Sequence, residues 1–251
     1  MPRPPSKSRV NSMPTKFNKP TSKPRSAASP IVAGTKPREK VGSTPERVAA
    51  AITKGLLRRE YNVGQRLVEA ELTEKLGVGR STIREALKIL ASHGVVEIIP
   101  HRGASIRGLT LTDADNLLGV LEVLTGLAAR LAAQKIDIDT NRQKFVAAAQ
   151  PLIKSEGGAH LDQVLDERAR FYKAMLDIAD SEDLNQAMPA WRAHLFRNQF
   201  FAFHTKGDMR VMCTEYRSIV DAILAGDPAR AESQTRRHLQ KTRERMLPHL
   251  R

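Results

Sequence analysis

The sequence is poor in cysteine, in aromatic residues and in long apolar runs. Its 251 residues include one cysteine, Cys213, and aromatic side chains make up 4% of the chain. A single cysteine excludes a disulfide framework, and its position in a helical stretch favours a small buried side chain over a catalytic thiol. There is no run of 18 apolar residues and no secretory signal core. We therefore expect a cytoplasmic protein without a membrane partner.

The sequence also lacks the motifs of common enzyme classes. It contains no Gly-x-Ser-x-Gly nucleophile motif, no Walker loop, no dinucleotide-binding fingerprint and no Cys/His ligand set. We therefore expect a binding protein that is not an enzyme.

Positive charge is concentrated in the first 108 residues. The net charge is +14, and residues 1–40 hold ten Lys/Arg against one acid. Residues 41–108 hold eleven against seven, whereas residues 109–251 hold twenty against nineteen. A basic half joined to a nearly neutral half indicates an anionic polymer bound at one end, and nucleic acid is more common in that role than an acidic membrane surface.

The first segment, residues 1–42, is predicted to be a disordered basic tail. Eight of the fourteen prolines lie in residues 1–40, which carry few large apolar side chains. Such a segment buries too little surface to offset its ordering entropy. It is either a basic arm that adds DNA affinity, the product of a start site upstream of Met13, or an imitation of an organelle transit peptide.

Residues 43–108 have the element order of a winged helix-turn-helix domain. Thr44 is the predicted N-cap of a first helix, with Pro45 at its first position. A short helix over Glu69–Leu76 ends at Gly77, and a third helix fits Arg80–Ser92. Two β-like runs, at 95–99 and 104–107, are joined by a hairpin loop. This order predicts that the third helix enters the major groove of DNA.

Residues 109–251 are predicted to form an all-α effector-binding and dimerisation domain. The helices fit residues 112–134, 140–155, 159–179, 183–205, 209–225 and 228–247. Gly226, Asp227 and Pro228 mark the last junction as a helix stop, a cap and a first helical residue. The expected fold class is therefore mainly α, with an N-terminal winged helix-turn-helix and a C-terminal helical bundle.

The candidate DNA-binding residues lie at the start of the third helix and at the hairpin tip. Arginine bridges guanine or holds a phosphate, and hydroxyls with helix N-terminal amides suit phosphate oxygens. The alternative is that Arg80 and Arg84 are ordinary solvated charges. The candidates are Arg80, Ser81, Thr82, Arg84, Arg102 and Gly103.

Residues 52–107 resemble the winged helix of the GntR-type bacterial regulators. The matching blocks are Gly64–Leu72, Leu76–Leu87, Gly94–Val96 and Pro100–Gly103, in the family's order. The resemblance implies that the six candidate residues hold DNA. It also implies a transcription regulator, more commonly a repressor, that binds a palindromic operator as a homodimer. A non-specific architectural DNA binder is the competing class, although such a protein has little use for a nearly neutral helical half.

The chain after residue 112 resembles the FCD domain of the FadR subgroup. The carrying blocks are residues 126–133, 219–227 and 237–239. Many FCD domains bind a divalent metal through an Asp-x-x-x-His pair and two further histidines. Here Arg168 and Tyr172 occupy the places of that pair, and Tyr216 replaces one histidine, so only His238 remains. We therefore expect neither a metal nor another cofactor.

Our hypothesis is that Arg168 replaces the metal as the holder of an anion. Tyr172, Tyr216 and His238 would donate hydrogen bonds, and the effector would be a small organic acid or other anionic metabolite. Two alternatives place Arg168 on a solvated face or turn Asp166 inward in another helical register. A hydrophobic acyl effector is a third. The aromatic segment between His194 and His204 is interpreted as core or dimer contact.

Overall fold

The computed structural model describes residues 43–154 and 161–250 and is mainly α-helical, as predicted. The predicted basic tail lies outside these ranges. Two short 3-10 turns, Phe201–Phe203 and Leu247–Leu250, accompany the main elements. These elements are α1 Thr44–Leu57, β1 Arg66–Leu67, α2 Glu69–Leu76, α3 Arg80–Ser92, β2 Val96–Ile99, β3 Gly103–Ile106, α4 Leu111–Gln134, α5 Asn141–Lys154, α6 Leu161–Ala179, α7 Glu182–Ala187, α8 Ala190–Phe200, α9 Lys206–Leu224 and α10 Pro228–Met246.

The start of α1 corrects the predicted cap by one residue. Ser43 is the N-cap, and Thr44 is already helical, which moves Pro45 to the second helical position. The Glu46 carboxylate accepts a hydrogen bond from the Ser43 amide at 2.7 Å. This hydrogen bond satisfies a backbone amide at the helix start, and Thr44 as the cap would not place a carboxylate there, since the third helical residue would then be Arg47.

The winged helix-turn-helix has the predicted helices and one additional strand. α2 and α3 have the bounds expected from the sequence, and Gly77 adopts the left-handed conformation (φ 64°) that ends α2. The three-stranded antiparallel sheet has the order β1-β3-β2, with Ile98 opposite Ala104. The strand β1 was not predicted, because two residues are too few to show an alternating pattern.

The helical half packs around α4, which contacts α10 along much of its length and also meets α6 and α9. By length and composition α4 is apolar enough to span a membrane, and half of that window is buried inside the fold. Its mid-helix carboxylate, on Glu122, accepts hydrogen bonds from Arg236 and Gln240 of α10. Here α4 therefore acts as the central helix of a bundle.

The predicted single helix over residues 183–205 is wrong. It is divided into α7, α8 and a 3-10 turn. Met188, immediately before Pro189, is extended (ψ 118°), and Pro189 starts a new helix. Proline disfavours the helical conformation of the preceding residue, so the chain turns at this point.

The winged helix and part of the helical half share one hydrophobic core. Ile52 of α1 and Leu90 of α3 belong to the same buried cluster as Leu117 of α4 and Phe200 of α8. A second cluster lies between α4, α5, α6 and α9. Buried side chains thus cross the predicted boundary near residue 108.

Candidate DNA-binding surface and effector cavity

The start of α3 presents polar side chains away from the core. Arg80, Ser81 and Arg84 are exposed and Thr82 is half-buried, whereas Ile83 is fully buried. Gly79 is the N-cap, and because glycine has no side chain, the first amides of α3 have no side-chain cap. Free helix amides beside arginines and hydroxyls form a surface that suits phosphate oxygens.

Arg84 has a carboxylate partner on the preceding helix. Its Nε lies 3.1 and 2.9 Å from the two carboxylate oxygens of Glu69, in α2. Both side chains are exposed, so the pair contributes little to stability. The pair instead orients Arg84 beside the start of α3, and a phosphate or base has to compete with Glu69 for the guanidinium.

The tip of the wing is exposed and tightly turned. Arg102 and Gly103 face solvent, and both His101 (φ 63°) and Gly103 (φ 84°) have positive φ values. The exposed guanidinium of Arg66 lies beside Gly103, where a Cβ would be 3.8 Å from its Nε. Sequence reasoning missed Arg66, because only the pairing of β1 with β3 brings it to the wing.

A cavity of about 370 Å³ lies between α4, α6, α8 and α10. It runs along α6 from the buried Arg168 to the exposed Lys173–Asp177 pair, a span of about 13 Å at 1.5 Å per helical residue. Its walls are mostly apolar. They comprise Leu118, Leu121, Thr125, Arg168, Ala169, Tyr172, Lys173, Leu176, Asp177, Asn185, Met188, Ala190, Ala193, His194, Phe196, Arg197, Leu239 and Thr242.

The four predicted effector residues are connected by a hydrogen-bonded chain. The Arg168 Nε donates to the Tyr216 hydroxyl at 2.7 Å, and that hydroxyl lies 3.2 Å from His238 Nε2 and 3.4 Å from the Tyr172 hydroxyl. His238 Nδ1 lies 2.6 Å from a carboxylate oxygen of Glu215. Since a carboxylate only accepts, the network places the imidazole proton on Nδ1 and leaves Nε2 to accept from Tyr216.

The four residues do not share one position relative to the cavity. Arg168 and Tyr172 line it, whereas the buried Tyr216 and His238 lie behind Arg168 and outside the lining. Both alternative placements of this helix are wrong. Arg168 is 9% exposed and therefore not on a solvated face, and Asp166 is exposed and therefore not turned inward.

Glu215 is the fixed negative end of this chain. Its carboxylate also accepts two hydrogen bonds from Arg245, at 2.8 and 3.0 Å. Burial opposes ionisation of Glu215, but hydrogen bonds from His238 and Arg245 prevail and lower its pKa to about 2. Burial in turn lowers the pKa of His238, so the imidazole is neutral beside the carboxylate.

The residues at the family's metal position do not fit a divalent cation. A guanidinium, from Arg168, and two phenols stand where the resemblance to FCD domains implies metal ligands. Both nitrogens of His238 already have protein partners. Zinc and similar ions require imidazole, thiolate or carboxylate donors directed at one point, and a fixed cation at that point opposes binding.

Sequence reasoning missed Arg197 and His194 as cavity residues. Arg197 Nη1 lies 3.0 Å from His194 Nδ1, and both side chains border the cavity from α8. Burial and then the charge of Arg168 lower the pKa of Arg197 to about 10, and burial and then Arg197 lower that of His194 to about 3. Their position within an aromatic segment suggested core packing and hid this role.

The two cavity arginines have no acidic partner in the part of the chain that the structure describes. Arg168 and Arg197 make none of the ion pairs found there, whereas neighbouring Arg245 is paired with Glu215. Two mutually repelling cations at the deep end of an apolar cavity leave an excess of positive charge.

These features define a winged-helix DNA-binding protein with a ligand-sized cavity in its helical half. Residues 44–106 match the family "Bacterial regulatory proteins, gntR family", and residues 116–241 match the FCD domain. The chain belongs to the GntR family of bacterial transcription regulators and carries an FCD domain, as the sequence resemblance implied.

Relatives in sequence agree with this assignment, and a solved structure has a similar fold. An HTH-type transcriptional regulator of Streptomyces ambofaciens is 26% identical over 73% of this chain and 77% of the length of the relative. A probable D-xylose utilization operon repressor of Paenarthrobacter nicotinovorans is 25% identical over 70% and 77%. The fold is similar to that of Escherichia coli McbR/YncC, with a TM-score of 0.73 at 16% identity over 84% of this chain and all of that one.

Proposed function

We propose that this regulator is a cytoplasmic repressor controlled by a small carboxylic acid bound in the helical domain. The observation that carries the proposal is the pair of guanidiniums, of Arg168 and Arg197, that face one cavity with no carboxylate partner among residues 43–154 and 161–250. A planar guanidinium binds a carboxylate through two parallel hydrogen bonds, and two guanidiniums can hold one carboxylate from two sides.

The shape and lining of the cavity restrict the class of carboxylic acid that fits. Beyond the arginines the walls are apolar, with Leu121, Leu176 and Met188 among them, and the open end lies at exposed residues of α6. A carboxylate with an apolar body would place its head at Arg168 and bury its body against these side chains. This agrees with the small organic acid expected from the sequence, and the apolar walls also suit the acyl effector that was the alternative.

DNA binding is assigned to the six predicted residues, now joined by Arg66. The exposed start of α3 would enter the major groove, and the wing with Arg66 and Arg102 would contact the adjacent backbone. The repressor direction is supported by relatives named as repressors, including one from Escherichia coli that is 24% identical over 72% of this chain.

A homodimer would place two winged helices on a palindromic operator. α4 presents an outward apolar stripe that includes Val120 and Leu127, 49% and 38% exposed, with Val123 at 54% between them. We assign a second copy to this stripe, since one helix face can pair with itself about a two-fold axis. Replacing Val123 by Glu should shift the protein towards monomer in sedimentation, whereas an unchanged dimer would reject this interface.

The effector site is tested by thermal shift with octanoate. The control compound is 1-octanol, which has a chain of the same length and no charge. Octanoate should raise the melting temperature of the wild type but not that of Arg168→Gln. Arg170→Gln, an exposed arginine on the same helix, is the control and should respond as the wild type does. Equal responses to octanoate in both variants, or no response in the wild type, would reject the site.

Operator binding is tested by selecting duplexes from a random pool and measuring mobility shifts. Enriched palindromes with half-sites one helical turn apart would support a dimeric reader of both halves. Enrichment of single half-sites, or of no sequence, would contradict the proposal.

A further inference from the structure

α8 has one face in the effector cavity and the other on the winged helix. Along Ala190–Phe200, Ala193, His194 and Arg197 line the cavity. Trp191, Asn198 and Gln199 instead contact residues of the winged helix or of the segment that joins it to α4. The helix is three turns long, so side chains that face opposite ways are joined by a rigid backbone.

Three separate contacts hold the winged helix to this face. The Asn198 amide donates to the carbonyl oxygens of Leu56, in α1, and of Tyr61, just after it, at 2.9 and 3.1 Å. The Trp191 ring lies 4.3 Å from that of His93, which follows α3. Near these, the Arg59 guanidinium lies 3.7 Å from the centre of the Phe201 ring, immediately beyond α8.

A fourth set of contacts holds the linker, residues 107–110, between the wing and α4. The Gln199 side chain accepts from the Leu109 amide at 2.7 Å and donates to the Leu109 carbonyl at 2.9 Å. Asp113 at the start of α4 pairs with both Arg107 of the linker and Arg192 of α8. The linker backbone is therefore hydrogen-bonded to α8 rather than free to rotate.

We propose that α8 is the element that transmits occupancy of the cavity to the DNA-binding domain. This inference rests on the proposed effector site. An anion between Arg168 of α6 and Arg197 of α8 relieves the repulsion between the two guanidiniums and draws α8 towards α6. Asn198 and Gln199 follow Arg197 directly in the chain, so the end of α1 and the linker move with it.

The physical requirement for such coupling is a difference in effector affinity between two positions of α8. The unpaired arginines supply that difference, because only an occupied cavity stabilises their close approach. Linked sites in regulators typically change each other's affinity by about 5- to 150-fold, and the effect is reciprocal. We expect a change in operator affinity within this range.

The experiment combines octanoate as the probe with a variant that cuts the linker contact. Gln199→Met keeps the length of the side chain but removes both hydrogen bonds to Leu109. Gln240→Met, on α10, is the matched control, since the Gln240 side chain bonds to Glu122 within the helical half and, among the described residues, to none of the winged helix. Circular dichroism checks that both variants fold. Trp191, the sole tryptophan of the sequence, reports the α8 interface through its intrinsic fluorescence.

In the wild type and in Gln240→Met, octanoate should raise the melting temperature, shift the Trp191 emission and change the Kd for a selected operator by at least about 5-fold. In Gln199→Met the thermal shift should remain, while the change in Kd falls below about 2-fold. A full operator response in Gln199→Met would overturn the α8 route and leave the effector site standing. Octanoate that raises no melting temperature would overturn both the site and this inference.

Discussion

Acidification from pH 7 to pH 5 should destabilise the fold through His194, which lines the cavity from α8 beside Arg197. Burial and the neighbouring Arg197 lower the pKa of this histidine from 6.5 to about 3. The unfolded chain then takes up a proton between these values that the folded chain does not. The stability that a neutral His194 provides is complete above pH 6.5 and is lost progressively as the pH falls towards 3.

The size of this loss follows from the pKa difference. Each pH unit below 6.5 costs about 1.4 kcal/mol for a histidine that stays neutral in the folded state, which gives about 2 kcal/mol at pH 5. His194 retains some exposure to the cavity, so we expect about 1–2 kcal/mol. Burial lowers the pKa values of His204 and His238 as well, which adds losses of the same sign. Glu215 contributes none in this window, because its carboxyl titrates below pH 4.5.

Urea unfolding of the wild type and of His194→Gln at pH 7, 6 and 5 isolates the contribution of this residue. Glutamine keeps an acceptor for Arg197 but does not titrate. The protomer concentration has to be fixed, because association stabilises the fold by mass action. The wild type should lose about 1–2 kcal/mol more than the variant between pH 7 and pH 5. An equal difference in stability between the two proteins at pH 7 and at pH 5 would show that His194 is not the group that destabilises the fold in acid.

Three further outcomes follow from the structure. Gly55→Ala should lower the free energy of unfolding by about 1–3 kcal/mol in urea titrations, since a Cβ there would lie 2.5 Å from the buried Tyr61 ring; equal or greater stability would contradict this close contact. Glu215→Gln should lower the free energy of unfolding by about 3–5 kcal/mol at pH 7, because Arg245 loses its charged partner. Between pH 4.5 and 2, where the wild-type carboxylate becomes protonated, the stability of the variant should depend less on pH than that of the wild type. An unchanged acid transition would count against the buried pair. Arg80→Ala should weaken operator binding. If Arg80 contacts a phosphate, affinity should fall equally for all sequences and the salt dependence of log K should have a slope smaller by about 1; if it contacts a base, the loss should be about 1–3 kcal/mol at one base pair. Mobility shifts at several salt concentrations distinguish the two, and unchanged affinity would remove Arg80 from the DNA-binding surface.

The sequence determined the winged helix to a large extent because its signals are local. Helical periodicity and the stop at Gly77 placed α2 and α3 at the residues where the structure has them. Pro189 gives an equally local signal, but the sequence prediction did not use it, so α7 and α8 were predicted as one helix. The strand β1 has two residues, too few to show an alternating pattern, so neither the strand nor Arg66 was predicted.

The candidate effector site was only partly visible in the sequence. The resemblance to FCD domains brought Arg168, Tyr172, Tyr216 and His238 together, and the structure joins them in one hydrogen-bonded chain. Their division into residues that line the cavity and residues behind it depends on how α6, α9 and α10 are rotated. Helix rotation is set by packing, which a single helix's own pattern does not fix.

The charge balance of the protein was a property of the sequence alone, whereas the balance of the cavity was decided by the tertiary structure. The scarcity of acids among the basic residues of the first 108 positions already indicated a protein that binds nucleic acid. Nothing local showed that Arg197 would face Arg168 without a carboxylate, or that Gln199 would hold a backbone segment 90 residues earlier in the chain. Both depend on long-range packing, since ion pairs and buried hydrogen bonds form between whichever groups the fold brings within about 3 Å.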